Sequence, residues 1–130
     1  MTYLYGRLPP QPVPVRDLTH YLTAPLPAAP ATVAAPKLEW PMAGNDTMGD
    51  CTIAAVVHTD QALAYLTGQK WTYPGDGVVE TEYFDLTGGE DTGLVEARVL
   101  AAWTKGLFGH KLAAFAPINV KHQNVIKQAT

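Results

Sequence analysis

The sequence predicts an α+β domain behind an extended arm. Nine of the eleven prolines lie in the first 41 residues, three stretches of helical character follow between residues 50 and 105, and a short apolar run at 110–116 is stopped by Pro117. Proline lacks an N–H and pushes its predecessor toward extended backbone. Residues 1–39 therefore read as an extended Pro/Ala-rich arm, in which only Arg16–Leu22 has the composition for a short helical or turn element.

The folded part is expected to span 40–130. Asp50, after Gly49, is an N-cap candidate, and the run from Thr52 to Leu66 has no breaker before Gly68, so a buried helix is predicted over 50–67 with Gly68 closing it. A second helix is predicted over 78–86, ending at Thr87-Gly88-Gly89. A third is predicted over 93–105, capped by Asp91 or Thr92, closed by Gly106 and carrying its apolar face on Leu94, Ala97, Leu100 and Ala101, with Trp103 a further candidate for it. The run His110–Ala116 is predicted to be a strand, and 119–130 a loop feeding an amphipathic helix that begins near Val125.

Composition excludes several function classes. A length of 130 residues suits one ordinary domain, and 47% hydrophobic residues is the proportion of a globular chain. No apolar run approaches the roughly 18 to 20 residues of a membrane span, and the N-terminus lacks the pattern of a signal peptide. Nine basic against twelve acidic residues leave a net charge of -3 with no Lys/Arg cluster, which disfavours nucleic acid as a partner. The single cysteine, Cys51, excludes an internal disulfide and any multi-cysteine zinc site. The Cys51/His58 spacing of seven does not suit two helical metal ligands, and Glu90-Asp91 lacks the alternating carboxylates of a calcium loop, so neither metal nor cofactor is expected.

The most specific stretch is Gly44-Asn45-Asp46-Thr47-Met48-Gly49-Asp50-Cys51-Thr52-Ile53-Ala54-Ala55. A thiol in the first turn of a helix meets unpaired N–H groups and the positive end of the helix dipole, which stabilise a thiolate. His110, at the start of the predicted strand, is the candidate base; Asn119 is a candidate orienter, and Asn45 a candidate oxyanion donor. The plainer alternatives are a small core cysteine, a surface histidine at a strand end, and an Asx turn at Asn45-Asp46.

This stretch resembles the papain-like cysteine peptidases, particularly the C39-like branch, in which a glutamine stands six residues before the cysteine and an Asp-Cys pair opens the central helix. Asp50-Cys51 and Ala54-Ala55 match, whereas Asn45 stands where the branch has glutamine. Trp40–Leu63 and Gly109–Ala116 also resemble uncharacterised papain-like proteins of actinobacterial phages, so that the likeness covers about residues 38 to 130. The resemblance implies the N-terminal half of a papain-like fold. It places the family's histidine on a Gly-Gly-His strand after the helix near Val125, beyond Thr130, which would leave the chain with the thiol and not its base.

Two functions are expected from this. The first is a phage virion-associated accessory or structural protein, non-catalytic, bound to other particle subunits through residues 1–39, located in the virion or the host cytoplasm and able to form a homo-oligomer. The alternative is a cysteine peptidase or amidase in which Cys51, His110, Asn119 and Asn45 carry acyl transfer.

Overall fold

The computed structural model describes residues 8–12, 16–22, 24, 28, 31, 37–119 and 121. Three α-helices occur among them: α1 (Cys51–Leu66), α2 (Asp76–Thr87) and α3 (Glu96–Lys105). One 3-10 turn, Leu18–His20, falls inside the piece of arm expected to make a short element. None of these helices is long and apolar enough to cross a membrane.

The three helices follow from local chemistry. Gly68, at φ +66°, ends α1 with its N–H on the Tyr65 carbonyl at 3.2 Å and the Gln69 N–H on that of Ala64 at 2.8 Å, the paired closure that a left-handed glycine permits. Helix α2 begins two residues before its expected start, because Gly75, at φ +94°, turns the chain so that Asp76 opens the first turn. Helix α3 starts three residues later than expected. Asp91 and Thr92 do not cap it; Val95 holds the cap position, and the Asp91 carboxylate is engaged elsewhere.

The expected strand at 110–116 does not form. Residues 111–119 are irregular, and the pairing found there is a single bridge, with Leu107 N–H on the His110 carbonyl at 2.9 Å and the reverse bond at 2.8 Å. Phe108 (φ +51°) and Gly109 (φ +80°) make the tight turn between them, and no strand lies alongside among the described residues, so the run has no ladder to join. The architecture shown is thus three helices with almost no strand. The terminal helix expected near Val125 lies outside the described residues.

Two compact units divide the chain: Met1–Gln11 with Pro36–Ala113, and Pro12–Ala35 with Ala114–Thr130. The expected boundary at residue 39 does not coincide with this division. Leu8, from the arm, donates its N–H to the Leu94 carbonyl at 3.1 Å within the helical unit. The second unit has its own tie, from the Leu18 N–H to the Pro117 carbonyl at 2.9 Å.

The core of the helical unit packs Ile53, Val57, Val79, Tyr83, Val99 and Trp103 together, all at most 5% exposed. Each helix supplies part of it, so α1 is covered by α2 and α3 on one side. Residues 39–41 run along another side, held by Gln61 Nε2 on the Glu39 carbonyl and His58 Nε2 on that of Pro41, both at 2.8 Å.

Candidate functional site

Cys51 is the first residue of α1 and is half-buried. With Ala55, Thr59 and, from α3, Glu96, Leu100 and Trp103, it lines a groove of about 310 Å³. Thr52 Oγ1 and Trp103 Nε1 are buried beneath this groove without hydrogen-bond partners. A small apolar groove beside a helix N-terminus can hold an aliphatic or aromatic group.

The loop before Cys51 is shaped by its backbone. Ala43 (φ +55°) and Gly44 (φ +84°) reverse the chain, the Asn45 N–H bonds the Met42 carbonyl at 3.1 Å, and the N–H groups of Thr47 and Met48 share the Gly44 carbonyl. Asn45 sits exposed in this turn. A Cβ on Gly44 would lie 2.7 Å from Asp50 Oδ2, so the glycine is required for the backbone to pass over that carboxyl group.

Asp50 precedes the helix as expected but does not cap it with its side chain. Both carboxyl oxygens are fully buried and have no hydrogen-bond partner. Burial above all raises its pKa to about 7, partly offset by its own backbone N–H and with Asp91, Asp46 and Asp76 adding negative potential, so the group is protonated below neutrality and about half protonated at pH 7. Asp91 ties the same loop down: its Oδ1 accepts the Gly49 N–H at 2.9 Å and the Tyr83 hydroxyl at 2.6 Å, while that hydroxyl accepts the Gly93 N–H at 2.9 Å. Burial, followed by the bond to Asp91, pushes the Tyr83 hydroxyl up to about 12.

His110 is held on a different side of α1. Its Nδ1 lies 2.5 Å from Asp60 Oδ2, in a small recess shared with Trp71, Thr72 and Phe108. Asp60 is nine residues after Cys51, which on an α-helix is about 13.5 Å along the axis and half a turn round it. The structure therefore does not bring His110 to Cys51, and the expected dyad is not assembled. His58, seven residues from Cys51, is occupied by Pro41 and packs edge-on against Trp40 with ring centroids 5.5 Å apart. Asn119 belongs to the other compact unit, where its Oδ1 accepts the Lys121 N–H at 3.0 Å. Among the described residues, no group of three or more His, Cys, Asp or Glu side chains is arranged to hold a metal ion.

The buried state of Asp50, the Asp60–His110 pair and the groove wall from α3 were not foreseen from the sequence. One signal was present for the second: Asp60 is the lone acid in an otherwise uncharged helical run, and a buried acid requires a partner. No protein-family model, curated protein or solved structure matches this chain.

Proposed function

We propose that this chain is a binding module: a non-catalytic accessory component of a phage particle, built on part of a papain-like domain. The observation that supports binding over catalysis is the capture of His110 by Asp60 on the opposite side of α1 from Cys51. The groove beside the thiol then serves as a contact surface. The papain-like and phage parts of the reading rest on the resemblance of residues 38–130, and the arm's proline content suits a segment laid along a neighbouring subunit at low entropic cost.

Alkylation of Cys51 followed against pH tests the catalytic question. His110→Ala is expected to leave the profile unmoved, and an inflection that shifts with this substitution would overturn the reading. Deleting residues 1–36 is expected to release the protein from purified particles; unchanged association would remove the arm as the anchor. The placement of Cys51 at a helix N-terminus on a groove favours the second reading, a peptidase or amidase using acyl transfer. Cys51-dependent hydrolysis of a peptide amide would establish it.

A further inference from the structure

Asp50 stands where a helix cap belongs and does not act as one. An aspartate in this place ordinarily accepts an N–H of the first helical turn, yet its side chain makes no such bond. Its backbone, at φ -97° and ψ 17°, also lies outside the extended region that a capping residue usually holds. The carboxyl group is instead shut beneath the Gly44 backbone, 0% exposed, with both oxygens unpartnered.

The cover over this group is thin. It is the turn at 43–49, in which Asn45, Asp46 and Thr47 are exposed. The N–H groups of Asn45, Thr47 and Met48 bond within the same stretch, on the Met42 and Gly44 carbonyls. Among the described residues, the tie from this turn to a distant group is the Gly49 N–H on Asp91. The charges that act on Asp50 are all acids: Asp46 in the turn, Asp91 between α2 and α3, and Asp76 at the start of α2. The Tyr73 and Tyr83 hydroxyls also face it and, both pushed up to about 12, stay neutral near pH 7. An ionised Asp50 therefore meets no cation where it lies, and a buried charge without a partner is strongly disfavoured.

We propose that Asp50 is a two-position switch: neutral, it lies sealed beneath Gly44; ionised, it turns outward to cap α1, and the turn at 43–49 opens with it. The two positions differ in the backbone rotation at Asp50, and a change of ψ there swings the preceding residues relative to the helix. The capped position offers a carboxylate water, first-turn N–H groups and the positive end of the helix dipole. The sealed position suits only the neutral acid. Burial raises the carboxyl to about 7, so the closed form holds below that value and is lost as pH rises through it. Because Cys51 follows Asp50 directly, opening rearranges the residues that lead into the thiol, whichever functional reading of the groove holds.

NMR of the full chain from pH 5 to 8 tests this by following the Asp50 carboxyl carbon and backbone hydrogen exchange together. For a group titrating at about 7, the ionised fraction rises roughly tenfold between pH 6 and pH 8. Protection at Thr47, Met48 and Gly49, corrected for intrinsic exchange, is expected to fall by about that factor with the same midpoint, reaching nearly the free-chain rate at pH 8. Val57, in the middle of α1, should stay at least about 100-fold better protected at every pH, which marks the opening as local. The Thr52 or Ile53 amide proton should move downfield as the carboxylate takes up the cap. D50N and D50A, two neutral side chains of different size, should each hold the turn's protection constant, and either one that keeps the wild-type helix signal suffices. An Asp50 that ionises with 47–49 still protected, no downfield shift at Thr52 or Ile53, the same loss in a folded neutral variant, or Val57 exchanging as fast as the turn would overturn the switch.

Discussion

At the start of α1 and near its middle, two carboxyl groups are withdrawn from water and are handled in opposite ways. Asp60 keeps a partner, His110, at 2.5 Å. Asp50 has no side-chain partner, lies under the Gly44 backbone and feels three other acids, so its pKa rises to about 7 and it takes up a proton as pH falls below that value. A buried acid can be paired or neutralised, and one helix uses both solutions.

The largest expected effect concerns Asp50. Its pKa is raised in the folded state from the ordinary 3.8 to about 7, so the native protein binds the extra proton and stability falls as pH rises through that window. Urea denaturation from pH 4 to 8 should show a loss of about 4 kcal/mol in the wild type relative to Asp50→Asn, which cannot ionise. A parallel pH dependence in the two proteins would show that Asp50 is not the neutralised acid.

Gly44→Ala should cost about 3 kcal/mol in the same experiment, since it forces a Cβ to 2.7 Å from the Asp50 carboxyl group at a left-handed backbone position. Pairing G44A with D50A, which removes the carboxyl group that the new Cβ would strike, should leave the backbone part of that loss. Next is Tyr83→Phe, which strands the Gly93 N–H and removes one donor from Asp91; about 2 kcal/mol should be lost, and hydrogen exchange at Gly49 and Gly93 should accelerate. The smallest effect is expected at the paired acid. His110→Ala should cost about 1 kcal/mol, because the imidazole is largely exposed and its removal lets water reach the otherwise buried Asp60 carboxylate in its place. A loss at His110 larger than at Asp50 would reverse the comparison.

Local signals and long-range ones were unequally legible in the chain. Helix α1 was readable to within a residue because its breakers, Gly49 and Gly68, and its uninterrupted run are all local. The same local reasoning failed for Asp91: its composition fits an N-cap, yet its carboxylate bonds the Gly49 N–H and the Tyr83 hydroxyl, groups 42 and 8 residues away. It failed again at His110–Ala116, where strand propensity had no neighbouring strand among the described residues to pair with. Cys51 was rightly placed at a helix start, whereas its expected relation to His110 required knowing which side of α1 the 107–110 turn returns to.

By itself, then, the sequence determined where the three helices lie and that one thiol opens the first of them, since breakers, glycine closures and apolar runs act within a few residues. Tertiary structure alone decided that Asp50 is sealed under Gly44, that His110 belongs to Asp60, and that α3 supplies a wall of the groove beside Cys51. Those outcomes depend on which distant groups meet once water is excluded, and neither composition nor spacing carries that information.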